Sequence, residues 1–361
     1  MTDFVVGKES IAAAKIGATW DTPVLCTIGD GFEFLSESVS TDSQYVENDQ
    51  IQGQPQKVVG TSGNKFYGGD VPMIMMYEGL EKFIANAMGV GATPSQVSTD
   101  DAYLHTFRIS VPSAKVGKFL TLIFEKGPEV WEYASEKTNS FTFDVTGSDQ
   151  RLEFGMNVIA SSLARNLTGV GTNNATTIGA ITLPTNRDIV KFSQATCSVN
   201  AQGGADFASS TDLVYINEFH CEMTNNYPTD DVTSRGGSLI DEPLQDDWSV
   251  VTGSLVFSKF HNEVPGGNMA LLTAADAKTP QKMKMSFVGP IADGTTNFQL
   301  DLWFPLVIFN SDGAPIEGPG RVGTTLDFES FKAASDPTGF PTGASLFTIE
   351  LTNQNAVSAL A

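Results

Sequence analysis

Residues 141–154 read FTFDVTGSDQRLEF, and this stretch decides the fold class. Apolar residues alternate with polar ones on both sides of the turn-forming residues Gly147, Ser148 and Asp149. Alternation puts every second side chain on one face of a strand, and two such runs around a glycine-containing turn are typical of a β-hairpin. The stretch therefore predicts two antiparallel strands, each with one buried and one exposed face.

Further strand patterns precede this hairpin, and the last of them overlaps its first strand. They are FEFLSESV (32–39), FLTLIFEKG (119–127), VWEYAS (130–135) and SFTFDV (140–145). One helix is predicted in YEGLEKFIANAMG (77–89), because its apolar residues recur at helical spacing and Gly89 is a natural stop. The apolar face of this helix consists of Leu80, Phe83, Ile84, Ala87 and Met88. The fold class is therefore mainly β.

The two halves of the chain share an order of features. VVGTSGN (58–64) resembles VVTGSLV (250–256), and about twenty residues after each comes a helix-like stretch, the second being NMALLTAADA behind the N-cap candidate Asn268. Three later pairs follow: LHTFRIS (104–110) with KMKMSFVG (282–289), LTLIFEKG (120–127) with FQLDLWFP (298–305), and RLEFGMNVIAS with TTLDFESFKAAS. We interpret this as a tandem duplication of a β-sandwich-like unit with one flanking helix; chance similarity between β-rich segments is the alternative.

The duplication sets the expected domain boundaries. We expect an N-terminal arm at 1–20, a first β domain at 21–180 and a second at 181–361. The glycine-rich, polar stretch 166–180 joins the two domains.

Composition restricts the classes of function. With 42 acidic and 21 basic residues the net charge is −21, which disfavours nucleic-acid binding because such binding depends on lysine and arginine. Solubility alone would also explain the charge. Three cysteines without CxxC spacing indicate buried free thiols rather than disulfides or zinc, and no apolar run reaches the roughly 18 residues of a membrane span. We therefore expect a soluble protein without a secretory leader.

No catalytic or metal-binding pattern is evident. The three histidines lie in strand-like segments, and His220 and Cys221 are adjacent, so on a strand they would point to opposite faces. The acid pairs at 100–101, 230–231 and 246–247 lack the spacing of a calcium loop. We expect no enzyme activity, no cofactor and no metal, although a distant carboxylate pair for glycoside hydrolysis is not excluded by sequence.

Several segments, taken in order, resemble the major tail tube proteins of long-tailed bacteriophages. They are VVGKESIAAAKIGATW, FEFLSES, VVGTSGN, the helix, LHTFRI, FLTLIFEKG, EYASEKTNSFTFDV and LEFGMNVIASSLARN, with IEGPGRVGTTLDFESFKA later in the chain. The likeness covers most of residues 5–166. One position departs from the family pattern, which has a glycine where Ser135 or Glu136 stands.

The resemblance implies a structural virion protein that forms the hollow tube through which DNA reaches the host. Six domains make each ring, so three chains of two domains would close a pseudo-sixfold ring; six chains would be needed if each carried one. Implied partners are other copies of the chain, the tape measure, the tail terminator and the baseplate or tip, with DNA passing without adhesion and no membrane contact. The protein would be made in the host cytoplasm and reside in the virion tail.

Two sets of residues are candidates for this role. Acids expected to face and repel DNA in the lumen are Asp144, Asp149, Glu153, Asp301, Asp327 and Glu329. Long polar stretches at 40–57 and 224–248 are expected to reach the next ring, with the candidates Tyr45, Glu47, Asp49, Tyr227, Asp230 and Asp231. The alternatives are an acidic β-rich binding module, such as a capsid decoration or tail receptor-binding protein, a tube protein of a contractile secretion machine, and a polysaccharide-active enzyme.

Overall fold

The structure is a computed structural model. It describes residues 7, 10–48, 59–90, 93–147, 150–166, 171–228, 239–264, 266–311, 313–316, 319–343 and 345–360. Within these residues the chain forms eighteen β-strands and four short α-helices. The mainly β fold class is confirmed.

The first half of the chain carries ten strands. They are β1 (Ala12–Gly17), β2 (Gly31–Phe32), β3 (Ser40–Val46), β4 (Thr61–Ile74), β5 (Ser95–Gln96), β6 (Tyr103–Arg108), β7 (Phe119–Lys126), β8 (Glu129–Thr146), β9 (Glu153–Ala160) and β10 (Ser162–Asn166). Helices α1 (Glu81–Met88), α2 (Pro112–Lys115) and α3 (Ala175–Ile178) lie between or after them.

The second half carries eight strands and one helix. The strands are β11 (Ala195–Ala201), β12 (Leu213–Val214), β13 (Glu218–Thr224), β14 (Val250–Phe257), β15 (Gln281–Asp293), β16 (Thr296–Ser311), β17 (Thr324–Phe331) and β18 (Thr348–Asn353). Helix α4 (Met269–Asp276) precedes β15, and a single 3-10 turn, Phe192–Gln194, precedes β11.

Eight strands form one continuous antiparallel sheet, which we call the long sheet. Its order is β3–β4–β9–β8–β13–β14–β17–β16. The pairing of β8 with β13 joins the two halves of the chain over seven residues of each strand. The long sheet therefore runs across both halves without a break.

Two side sheets share a strand with the long sheet. The first has the order β2–β1–β7–β8–β10 and the second β12–β11–β15–β16–β18–β6–β5. In β8 and β16 the N-terminal part pairs within a side sheet and the C-terminal part within the long sheet. One hydrophobic core fills the space between the sheets and takes side chains from both halves, among them Phe143, Phe154, Phe304 and Phe328.

The hairpin and the helix predicted from sequence are confirmed. β8 and β9 pair through Phe143 and Phe154, although Ser148 and Asp149 of the turn lie outside the described residues. Helix α1 ends at Gly89, which takes a left-handed conformation (φ 78°) and donates its N–H to the carbonyl of Ala85. Asn268 stands at the N-cap of α4, but its side chain bonds to residues 259 and 261 of the preceding loop instead of capping the helix.

Residues 130–135 and 140–145 were expected to be separate strands, but they lie on the single strand β8. Between them the strand passes from the first side sheet to the long sheet, and its register with β9 shifts. Ser135 has a φ of 51°, in the left-handed region that favours glycine. Ser135 is one of the two positions at which the resemblance noted above implies a glycine.

The two halves show the same order of strands. β4–β9–β8 corresponds to β14–β17–β16, and β2–β1–β7–β8–β10 corresponds to β12–β11–β15–β16–β18. Two of the sequence matches agree with this order: α1 with α4, and RLEFGMNVIAS with TTLDFESFKAAS, which form β9 and β17.

The other sequence matches differ from the topology. Phe154 lies opposite Met73, whereas its counterpart Phe328 lies opposite Gly253, so VVTGSLV corresponds to residues 70–76 and not to 58–64. LHTFRIS forms β6, which has no counterpart in the second half of the described chain. The sequence comparison followed only the order of segments, so it matched β6 with β15 and β7 with β16. In the structure the counterpart of β15 is β7, and the counterpart of β16 is β8.

The expected domain boundaries stay a prediction. β1 lies within the segment expected to be an arm, and it pairs with β2 and β7. Strand β6 of the first half completes the side sheet of the second half through β18. The two halves are thus joined by strand pairing in the long sheet and in the second side sheet, and by the shared core.

Candidate functional site

The exposed side of the long sheet is the candidate functional site, and we call it the acidic face. Along β8 the side chains of Phe141, Phe143 and Val145 are buried, whereas Thr142 and Asp144 are partly exposed. The same alternation holds in β9, β13, β14 and β17. Because side chains alternate across a strand, one side of this sheet is apolar core and the other is polar.

The strand register arranges the acidic face in four rows across both halves of the chain. They are Thr146–Glu218–Val256–Thr325; Ile74–Glu153–Asp144–His220–Ser254–Asp327–Asn310; Pro72–Gly155–Thr142–Glu222–Thr252–Glu329–Ile308; and Asp70–Asn157–Ser140–Thr224–Val250. These rows hold seven carboxylates, one histidine and no lysine or arginine, and one of the carboxylates, Glu153, pairs with Arg151 just outside the rows at 2.9 Å. A phosphate backbone near this face would be repelled, since phosphate binding requires cations.

The single histidine of the face is held by an acid of the neighbouring strand. Nδ1 of His220 bonds to Oδ1 of Asp144, and both side chains are close to half exposed. The hydrogen bond to Asp144 raises the pKa of His220 against the opposing effect of burial, and the charges of Asp144 and Glu222 raise it further. Protonation of His220 would therefore occur at a higher pH than in a free histidine.

Four of the six predicted acids lie together on the acidic face: Asp144, Glu153, Asp327 and Glu329. Asp149 lies outside the described residues. Asp301 belongs to the side-sheet part of β16 and is 6% exposed; it accepts a hydrogen bond from Ser286 and pairs with Lys284 at 2.9 Å.

Sequence reasoning missed three acids of the face. Asp70, Glu218 and Glu222 lie in the same rows as the predicted acids. The sequence holds a usable signal for two of them, because EFHCEMT alternates polar and apolar residues as β13 does in the structure. Asp70 carries no comparable signal, because it follows the glycine pair 68–69 and no alternation marks it. The sequence match of VVTGSLV with 58–64, twelve residues before its structural counterpart 70–76, also placed it outside the matched strand.

The candidates for ring-to-ring contact are placed in different surroundings. Tyr45 is 56% exposed on β3, in a hairpin with β4 that extends past the residues paired with β9. Glu47 follows this strand. Tyr227 is 6% exposed, and the amine of Lys137 lies over its ring, 5.1 Å from the centroid. Asp49, Asp230 and Asp231 lie outside the described residues.

Buried polar groups fasten the two halves together beside the β8–β13 pair. Nζ of Lys115 donates to Oδ1 of Asn225 at 2.5 Å, and also to Gln245 and Ser249. Nδ2 of Asn225 donates in turn to the carbonyls of residues 87 and 138. Burial lowers the pKa of Lys115 to about 8, so its charged form is costly in the folded protein. Lys137 makes a second buried contact of this kind, an ion pair with Glu242 at 2.5 Å.

Other reactive groups are buried or scattered. Burial raises the pKa of Cys26 and of Cys197 to about 12, and it raises that of Cys221 well above the ordinary value. Among the described residues, no three His, Cys, Asp or Glu side chains are grouped closely enough to hold a metal ion. No helix in the described part of the chain has the length and hydrophobicity needed to cross a bilayer.

The structure is that of an antiparallel β protein with two similar halves joined by strand pairing. One side of its long sheet is exposed and carries the acidic face. A family model described as phage tail tube protein matches residues 4–330, which is most of the chain. The chain belongs to the phage tail tube protein family. No individually curated protein matches it.

Family membership gives the protein its location and its general role. It is a structural protein of the virion tail. Membership implies that it assembles with itself into a tube and contacts other tail proteins.

Proposed function

We propose that this chain forms stacked rings with a continuous β-sheet wall around an acidic bore through which phage DNA is delivered. The observation that carries the proposal is the strand order of the long sheet. Three strands of its first half, β4–β9–β8, recur in its second half as β14–β17–β16 in the same order, and the β8–β13 pair joins the two halves. One copy of the chain already contains the kind of junction that would join it to the next.

A tandem duplication explains this order, and it sets the stoichiometry. Each half would be one wall unit, with β4, β8 and β9 in the first equivalent to β14, β16 and β17 in the second. If a ring has six units, as the resemblance to tail tube proteins implied, three chains close it with pseudo-sixfold symmetry. Ring closure would also remove the exposed sheet edges that make an isolated β subunit prone to aggregation.

The acidic face is the surface that we assign to the bore. Its seven carboxylates would repel the DNA phosphates, so that the duplex slides along the wall without adhering. Electrostatic screening acts over about 8–10 Å at physiological salt, so charges on the wall of a narrow channel would reach the passing DNA. In this proposal the wall acts by repulsion and the protein has no catalytic step.

The projecting β3–β4 hairpin is the element that we assign to contact between stacked rings. Its apolar residues Tyr45, Val46 and Val59 are 56%, 53% and 80% exposed in the subunit. Side chains of this kind are costly to leave in water, and a neighbouring ring would cover them. The tape measure, tail terminator and baseplate or tip proteins would then meet the tube at its inside or its ends.

Negative-stain electron microscopy of the purified, concentrated protein tests the proposal. Rings or hollow rods are the expected result, and partial polymers should lengthen with time and concentration. Discrete particles without a channel under all conditions that keep the protein folded would contradict it, and would favour an acidic binding module such as a decoration or receptor-binding protein.

A further inference from the structure

The two ends of the long sheet have unequal edges, and the difference points to how copies join. At one end, residues 33–39 run alongside β4: the N–H of Leu35 donates to the carbonyl of Pro72 at 2.8 Å, and the N–H of Ser38 donates to that of Asp70 at 3.0 Å. β13 lies beside β14 in the same place in the second half. Residues 33–39 are therefore the positional counterpart of β13.

This segment is irregular in the single chain, although its sequence FEFLSESV predicts a strand. β13 is paired on both sides, with β14 and with β8, whereas the backbone–backbone hydrogen bonds of residues 33–39 within the described chain are the two to β4 on one side. On their other side, no backbone hydrogen bond from the described part of the chain reaches them. The carbonyl of Val39 also accepts a hydrogen bond from the hydroxyl of Tyr133. Leu35 is 45% exposed and Ser36 is also exposed. A strand sequence without its second neighbour explains the irregular backbone.

The opposite end of the long sheet offers the matching edge. β16 pairs with β17 through Ser311, but its pairing with β15 on the other side ends at Val307. Its last residues, 308–311, are the counterpart of the part of β8 that pairs with β13. Nζ of Lys278 donates to the carbonyl of Phe309 at 3.2 Å and also bonds to the side chain of Asn310. A lysine at a sheet edge is a known obstacle to premature strand pairing.

We propose that residues 33–39 become a strand only on assembly, by pairing antiparallel with residues 308–311 of a second copy, and that Lys278 leaves Phe309 when they do. The β8–β13 pair within the chain is the template for this contact. The inference rests on the proposed ring, and it adds which segments form the junction and what keeps them apart in the free subunit. A regular exposed edge strand would pair with other chains and cause aggregation. Because residues 33–39 are not yet a strand in the free subunit, the subunit would stay soluble at high concentration.

Hydrogen–deuterium exchange on wild-type protein tests this directly, by comparing free subunits with assembled tubes. Apart from those of Leu35, Ser38 and Val39, which already donate hydrogen bonds, the amides of residues 33–39 should exchange rapidly in the subunit and slow by at least about tenfold in tubes, together with those of 308–311. Tubes in which residues 33–39 exchange as fast as in the subunit would overturn the inference while leaving the proposed tube intact. Failure of the wild type to form rings would instead refute the proposed function.

A matched pair of variants gives a second test. Ser36→Pro removes one backbone N–H that makes no hydrogen bond to the described part of the chain, and Ser36→Ala keeps it. We expect both variants to fold with similar melting temperatures, and we expect only Ser36→Ala to form tubes. Tube formation by Ser36→Pro at the wild-type rate would overturn the inference.

Discussion

At the scale of single residues, the buried amine of Lys115 makes the stability of the folded protein depend on pH. Its three hydrogen bonds go to uncharged oxygens of residues that follow β13, and burial, together with the charge of Lys137, lowers its pKa to about 8. The folded-state pKa lies below the ordinary value of 10.5, so protonation favours the unfolded chain. The cost is present in full below about pH 8 and disappears as the pH rises towards 10.5.

This predicts a pH-dependent difference between the wild type and Lys115→Met. Between pH 8 and pH 10, the free energy of unfolding of the wild type should rise relative to that of the variant by roughly 2 kcal/mol. Urea unfolding at a series of pH values measures it, with Lys118→Met as the control for loss of one lysine. Parallel pH profiles for wild type and Lys115→Met would contradict the assignment.

His220 predicts an effect of opposite sign at lower pH. Its folded-state pKa is raised by Asp144, so the pair adds stability that is fully present below pH 6.5 and is lost as the pH rises through the folded-state pKa. His220→Gln should therefore be less stable than the wild type at pH 5.5 and equal to it at pH 9. The difference should be less than about 1 kcal/mol, since both side chains are near half exposed.

NMR titration of the His220 ring checks the cause of that effect. In the wild type the ring should titrate above the pH of a free histidine, and in Asp144→Asn the shift should shrink. An unchanged titration in Asp144→Asn would show that the pair does not set the charge of His220.

At the scale of elements, the β3–β4 hairpin and the segment after β13 occupy equivalent places in the two halves but differ in how they pack. The hairpin projects with Tyr45 exposed, whereas the later segment folds back, with Ile240 and Tyr227 packed against Trp20 and Phe119. The indole N–H of Trp20 donates to the carbonyl of Ile240 at 3.2 Å. The described end of the hairpin is thus exposed at Tyr45, whereas the later segment fastens the two halves.

Replacing residues 47–58 by a short turn tests the use of the hairpin. The variant should remain folded and soluble, because Tyr45 and Val46 at that end are exposed, but it should fail to elongate beyond single rings. Sedimentation and electron microscopy separate these outcomes. Normal tubes from the variant would refute the assignment of the hairpin to ring-to-ring contact.

Sequence patterns predicted the elements whose partners are local, and they missed those set by distant partners. The β8–β9 hairpin and α1 were predictable because alternation and helical spacing are complete within each. The pairing of β6 with β18 joins residues about 245 positions apart, as His105 with Leu351 shows, and no local signal marks it. The sequence predicts two strands with a break at 136–139, yet Glu136 and Lys137 are buried within the single strand β8.

The sequence predicted that the candidate site is an acidic sheet face, but it predicted only some of the acids that lie on it. Acids on alternating strands marked the acidic face, since their apolar neighbours had to form the core. Asp301 follows the same alternation in sequence, but it lies in the part of β16 that belongs to a side sheet, where Lys284 pairs with it. The position at which β16 changes sheets depends on tertiary packing, which the local pattern does not contain.

At the scale of the whole molecule, the charge of the acidic face should govern the passage of DNA. Replacing Asp327 and Glu329 by lysine would place cations on the face, where DNA phosphates would bind them. Phage carrying both substitutions should eject DNA more slowly, and added salt should reduce the difference.

The matched control is Glu263→Lys, whose side chain is 88% exposed and lies outside the four rows of the acidic face. It changes the net charge in the same direction at another surface and should leave ejection unchanged. Equal ejection rates for wild type and the Asp327/Glu329 variant at low salt would count against an acidic bore.

The rotational symmetry of assembled tubes, read from end-on cryo-electron microscopy, tests the central claim most directly. Two equivalent wall units in each chain predict three chains in a ring, six similar units around an open channel, and a sheet that continues from β16 of one chain into the next. Six chains in a ring, or halves whose strands do not continue around the channel, would contradict the account.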